Sequence, residues 1–187
     1  MTHGAEGTTR VFFALVPPPA LQRALGDFGR ETARRAHGRP VPAENMHVTL
    51  AFIGAWPVAG VSVLLEAGAR VYGEAMPIVL DRIGAFRRAG IAWIAPSAPP
   101  AALGALAASL ADALSATSVP LDRQSYRPHL TLARHCRGPF ANDSLAPFIW
   151  SADRFVLMAS QTRAEGARYS ELADWPLRSE PRLPSLS

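Results

Sequence analysis

Two short stretches of this chain carry the side chains best suited to chemistry. "HVTL" at residues 47 to 50 and "HLTL" at residues 129 to 132 repeat the order His-x-Thr-Leu. Imidazole titrates near neutrality, so two of them across a cleft can serve as general base and general acid in opposite protonation states. The threonine two positions after each histidine adds a neutral hydrogen-bond donor for an anion. That set suits in-line displacement at phosphorus. A nucleophile loses a proton on one side, a leaving oxygen gains one on the other, and the non-bridging oxygens take hydrogen bonds. Such chemistry needs no metal and no cofactor. A single copy would read better as a core histidine with satisfied ring nitrogens; the second copy is what weighs against coincidence.

A metal centre is the rival use of two histidines, but it would want three or four ligands with Asp, Glu or Cys among them. Neither motif contains a carboxylate, so Asp81, Asp122 and Glu44 would have to arrive by folding. The neighbours His135 and Cys136 point to opposite faces if they lie on a strand, and both are read as structural. His3 and His37 read as solvated surface. A glycine-rich phosphate loop, a G-x-S-x-G elbow and a Walker lysine are all missing from the sequence, which removes support for serine hydrolysis and nucleoside triphosphate chemistry.

Each motif must be held by its secondary structure. Side chains alternate across a strand, so His47 and Thr49 share one face with Val48 and Leu50 behind them, and His129 and Thr131 share one face with Leu130 and Leu132 behind. "VFFALVP" (11–17) reads as a buried strand closed by prolines, followed by a helix with Leu21, Leu25 and Phe28 inward. "MHVTLAFIG" is a strand ending at Gly54, and 58–72 a helix with Val61, Leu64, Leu65 and Ala69 inward. "PIVLDRIGAF" and "IAWIAP" flank the turn "RRAG" as a hairpin, and 100–116 is an amphipathic helix through Leu103, Leu106, Leu110 and Leu114. After the strand "YRPHLTLAR" comes a loop at 138–147, and "ADRFVLMASQ" with "RYSELADWPL" makes a closing strand pair. Two halves of similar make-up, each with one motif, imply two similar lobes meeting at a cleft.

The 187 residues suffice for one folded unit. With 49% hydrophobic and 18% charged residues the composition is that of a soluble globular chain, without an apolar run near the ~20 residues of a membrane span. Residues 1–9 read as a disordered leader, 10–177 as a single bilobal domain and 178–187 as a mobile tail. With Cys136 the only cysteine, there is no intrachain disulfide, and a reducing, cytoplasmic setting and a monomer are the expectations. Net charge is +4, and every one of the 19 basic residues is arginine. The guanidinium fork suits phosphate, but for composition alone GC-rich codon usage is the better explanation of arginine without lysine.

Taken together, the chain resembles the two-histidine (2H) phosphoesterase superfamily, and within it the RNA 2′,3′-cyclic phosphodiesterases, also called 2′-5′ RNA ligases. The likeness covers roughly residues 10–177 and rests on "RVFFALVPP", "NMHVTLAFIG", "IGAF" through "AWIAP", "RPHLTLAR" and "YSELADWPL". It implies a LigT-like α+β fold of two lobes, each with an antiparallel sheet and outer helices, around a central cleft. It also implies His47 as general acid, His129 as general base, and Thr49 and Thr131 as phosphate ligands. The expected partner is an RNA end or nucleotide bearing a 2′,3′-cyclic phosphate, opened to a 2′-phosphate, with 2′-5′ ligation as the reverse reaction. Other readings are cleavage of 2′-5′ oligonucleotides or small cyclic nucleotide phosphates, and an RNA-binding module without turnover. Arg134 follows the second motif as the family's arginine does. Strand parity turns Arg134 away from His129 and puts Arg127 on its face, so both are phosphate candidates. Phe52 and Tyr126 lie near enough to stack a nucleobase, while parity with Val48 and Leu50 sends Phe52 into the core.

Overall fold

The structure is a computed structural model that describes residues 7–121, 126–138, 145–163 and 166–178. Most of the expected leader, Asp122, most of the 138–147 loop and nearly all of the expected tail lie outside these residues.

β1 (Thr8–Leu15) begins the described chain and buries Val11, Phe13 and Leu15. Three consecutive prolines end it, and the third fits the first turn of α1 (Pro19–Arg35), where an N–H would have no helical partner. Leu25 is fully buried, with Leu21 and Phe28 packed around it, as the periodicity required. Gly29 brings α1 close to the second motif: a Cβ there would stand 3.1 Å from the Leu132 carbonyl oxygen. β2 (Arg39–Pro40) is a short edge segment, and β3 (Val48–Pro57) carries the first motif.

α2 (Val61–Ala69) is shorter than the 58–72 expected; Leu64 is buried and Val61 and Leu65 pack against the core as expected, Ala67 and Gly68 are buried too, and Ala69 is exposed. The ring of Trp175 lies where a Cβ on Gly68 would be, which brings the helix backbone close to the closing strand. "PIVLDRIGAF" is two strands in two sheets, β4 (Met76–Leu80) and β5 (Arg82–Phe86). The break falls at Asp81, whose carboxylate accepts the Ser97 backbone N–H and hydroxyl, each at 2.6 Å. β6 (Ile91–Ala95) completes the hairpin through Gly90 at φ +62°, and α3 (Ala101–Ala116) buries all four of its marked leucines. Next come β7 (Leu130–Arg134), with the second motif, and β8 (Phe148–Ala152), a strand missing from the sequence-based expectation, whose closing pair starts only at Ala152. β9 (Arg154–Arg163) and β10 (Gly166–Pro176) form the closing pair.

All the strand pairs are antiparallel. One lobe has the order β10-β9-β1-β3, the other β7-β6-β5 with β2 on the free side of β7, and β4–β8 is a separate pair. A single pairing, Val48 with Leu130, joins the lobes. The lobes are not the sequence halves, because β9 and β10 return to β1, α1 packs on β7 and β2, and α3 packs on β3. Each lobe therefore holds a helix from the other half of the chain, which ties the two walls of the cleft into one core.

Candidate active site

The junction between the lobes is where the motifs meet. Antiparallel pairing of Val48 with Leu130 sets His47 on the side of Thr131 and Thr49 on the side of His129, all four on the face opposite the buried Val48 and Leu130. The arrangement has an approximate local two-fold axis through that pair. Both histidines stand just ahead of their strands, and each ring is fixed in the same way. His47 Nδ1 lies 2.7 Å from the carbonyl oxygen of Asn45, and His129 Nδ1 lies 2.8 Å from that of Arg127. A carbonyl only accepts, so Nδ1 carries the proton in both rings and Nε2 is left to exchange protons with a ligand.

The leucine of each motif has a second function. In β3, Ala14 pairs with Thr49 and Phe13 with Ala51, so Leu50 is an extra residue; in β7, Trp93 pairs with Thr131 and Ala92 with Ala133, so Leu132 is the extra one. Each is a β-bulge, which shifts the alternation of side chains by one position. Leu50 and Ala51 are accordingly both buried, as are Leu132 and Ala133. Simple parity fails from there on. Phe52 leaves the core and is 51% exposed, and Arg134 turns to the histidine face. Both line a pocket of about 240 Å³ with Arg10, Phe12, His47, Thr49, Ser160 and Tyr169.

Arg127 is also at the cleft, but on the other side. With His129, Thr49 and Phe52 it lines a groove of about 950 Å³ that runs along the small residues of α3. Tyr126 lies in the same groove, largely buried, which pushes its hydroxyl pKa up.

The two rings have different walls. His47 stacks on Phe12, ring centroids 4.7 Å apart, and meets the edge of Tyr169 at 5.4 Å. Burial depresses its pKa to about 4; the Asn45 carbonyl opposes this, and Arg134 and His129 add repulsion against a charged ring. His129 meets Phe86 edge-on at 5.1 Å, with Trp93 at 6.5 Å. Asn45, a buried polar side chain, donates from Nδ2 to the Ala167 carbonyl at 2.7 Å. It thereby ties the β9–β10 hairpin, and with it Tyr169, to the segment holding His47.

Phe12, Tyr169, Phe86, Trp93, Arg10 and Asn45 were not singled out by sequence reasoning. Phe12 was legible in principle, since its even place in β1 opposes the buried Val11 and Phe13. Tyr169 comes from a strand more than a hundred residues away, and nothing local marks it. Of the other ligand-type side chains, His135 and Cys136 fall beyond the end of β7, and among the described residues no three His, Cys, Asp or Glu gather into a metal-binding group. None of the described helices is long and apolar enough to cross a membrane.

Two facing His-x-Thr segments at the junction of two antiparallel sheets define a two-histidine phosphoesterase architecture. Residues 17–162 match the model of the 2′-5′ RNA ligase superfamily, and the chain belongs to that family. It is 28% identical over 172 residues to the RNA 2′,3′-cyclic phosphodiesterase of Escherichia coli K12, covering 90% of this chain and 96% of that protein. The enzyme of the same name from Thermus thermophilus is 27% identical, with 91% of each chain covered. Among solved structures, E. coli LigT complexed with 3′-AMP superposes with a TM-score of 0.80 at 26% identity, over 91% of this chain and 98% of that one.

Proposed function

We propose that this chain is an RNA 2′,3′-cyclic phosphodiesterase that opens the cyclic phosphate at an RNA 3′ end to a 2′-phosphate by acid-base chemistry between two imidazoles. The observation that carries this reading is the Val48–Leu130 pairing, which collects both histidines and both threonines on one face. The sequence relatives of that name support the substrate class.

In the proposed reaction His129 Nε2 takes a proton from water as its oxygen bonds to phosphorus, and the bond from phosphorus to the 3′-oxygen breaks as His47 Nε2 gives that oxygen a proton. The 2′-phosphate and a 3′-hydroxyl result, and the rings exchange one proton with solvent to reset. Thr49 and Thr131 donate to the non-bridging oxygens, and Arg134 balances their charge. A 5′-hydroxyl in place of water would follow the same course, giving up its proton to His129 as the bond to the 3′-oxygen breaks, and would leave a 2′-5′ linkage. Because the whole set is contributed by one chain, a monomer suffices, and a cytoplasmic RNA pool is the natural setting.

The low proton affinity of His47 has a direct consequence for this scheme. In the free protein burial keeps the ring neutral at pH 7, so the proton it donates must be taken up as the anionic phosphate enters the pocket. Substrate and catalytic proton then arrive together.

The test is product identity. A short RNA ending in a 2′,3′-cyclic phosphate is incubated with the protein and a chelator, and the product is compared with authentic 2′- and 3′-phosphates by phosphorus NMR. The 2′-phosphate is expected at full rate. A 3′-phosphate would reverse the assignment of His47 to the 3′-oxygen, and a rate restored only by added metal would overturn the two-imidazole mechanism.

A further inference from the structure

Beyond the end of β7 lies a second basic pocket, of about 440 Å³, lined by His37, Gly38, Arg39, His135 and Arg137. It is outside the histidine site but connected to it through one strand pair. Arg39 in β2 pairs with Arg134 in β7, and cross-strand partners share a face with their Cβ atoms about 5 Å apart. Arg134 lines the catalytic pocket, while Arg39 lines the second one. Like charges at cross-strand positions disfavour each other, and an anion bound between them relieves this. No carboxylate among the described residues pairs with Arg39 or Arg137. Arg34 and Arg35, at the nearby end of α1, are by contrast held by Glu31.

The pocket is built rigidly. Arg137 and Gly138 N–H groups both donate to the Ala36 carbonyl at 2.9 Å, Gly38 donates to Ala33 at 2.8 Å, and Cys136 donates to Gly90 at 2.9 Å. His37 and His135 are both in the left-handed region, at φ +50° and +55°, a conformation that side chains other than glycine adopt at a cost. Gly38 must be glycine, since a Cβ would stand 2.5 Å from Cys136 Sγ and 2.9 Å from the Arg134 carbonyl oxygen. Two turns, one after α1 and one after β7, are thus locked together with their cations facing one hollow.

We infer that Arg134, Arg39 and the Arg137 pocket form a continuous phosphate track that binds the RNA backbone on the 5′ side of the cyclic phosphate. This rests on the reading of the chain as a cyclic phosphodiesterase and narrows its substrate to an oligonucleotide. An RNA 3′ end has its remaining phosphates only on the 5′ side of the terminal ribose. When the cyclic phosphate sits at the histidines with Arg134, the preceding phosphates fall to Arg39 and then to Arg137, flanked by His37 and His135. A cyclic mononucleotide has nothing to place there.

The test compares kcat/KM for a 2′,3′-cyclic mononucleotide with that for a short single-stranded RNA ending in the same group, for the wild type and for Arg39→Gln, Arg137→Gln and the double variant. The oligonucleotide should be preferred by the wild type. The ratio of oligonucleotide to mononucleotide should drop by about tenfold per arginine, the size of a lost charge-assisted contact. Its dependence on log salt should become shallower by roughly 0.7 per contact removed. No wild-type preference, or a ratio unaffected by both substitutions, would overturn the track. Anisotropy of a labelled RNA ending in a 3′-phosphate gives the arm that needs no turnover. If the wild type hydrolysed neither substrate yet the variants weakened RNA binding, the functional reading would fall and the track would stand. An acidic peptide of equal charge binding as tightly as the RNA would refute a nucleic-acid track and assign the stripe to a protein partner.

Discussion

The two His-x-Thr-Leu segments share a local design and differ in their surroundings. In both, Nδ1 is tied to the carbonyl two residues earlier and the leucine forms a bulge behind the threonine. The first, however, lies between Phe12 and Tyr169 in the small pocket, and the second faces the wide groove beside Phe86. What the repeat fixes is therefore tautomer and direction. The proton affinity of His47 is set by walls that other strands bring; burial between them disfavours the charged ring, so the proton that a donor at this position needs has to come with an anionic ligand.

Removing either ring breaks the comparison altogether. His47→Ala and His129→Ala should each lower turnover by roughly 100-fold or more. Both should keep a cooperative melting transition, because the rings line a cleft. The double variant should be little worse than either single one, since the two act as a unit. Equal loss of the melting transition in both would mean that the histidines are core residues.

The arginines separate the two sides of the cleft. Arg134→Gln should cost about tenfold or more in kcat/KM, the loss of a charge-assisted contact to phosphate. Arg127→Gln, which keeps the carbonyl that orients His129, should cost less for a cyclic mononucleotide. The opposite order in steady-state kinetics would move the phosphate site to the groove.

Proton affinity gives a prediction independent of activity. The unfolded chain protonates His47 near pH 6.5, the folded chain only near about 4. Above 6.5 both states are neutral and stability does not depend on this ring. Between 6.5 and 4 the unfolded state binds the proton that the folded state refuses, so stability falls as pH falls, by roughly 3 kcal/mol in all. Denaturant melts across that range should show this loss, and His47→Gln should remove it. Proton NMR in the presence of a 2′-nucleotide should then move the His47 titration upwards; a titration that stayed put would transfer the donor role to His129.

The smallest effects belong to the threonines. Thr49→Val and Thr131→Val each remove one neutral hydrogen bond and should slow turnover by about tenfold or less. A marked inequality between them, read in kcat/KM, would show that the local two-fold axis does not extend to the bound phosphate.

The motif pair and the helices α1 and α3 were legible in the residues, because a repeated His-x-Thr-Leu on buried strands and helical periodicity are local signals, and the two-lobed α+β fold followed from the family resemblance that the motifs and their surroundings carry. The strand faces were legible as far as each threonine. The positions of Phe52 and Arg134 were not, because a bulge is decided by the partner strand: Leu50 becomes an extra residue only against β1, and Leu132 only against β6. The same holds for the division of "PIVLDRIGAF", where β8 and β6 claim the two ends for different sheets. The aromatic walls of His47 come from β1 and β10, at opposite ends of the chain, and its depressed proton affinity exists only once they close around it. Sequence determined which groups are repeated and on which strand face they start; long-range packing decided which side chains face them and how tightly His47 holds its proton.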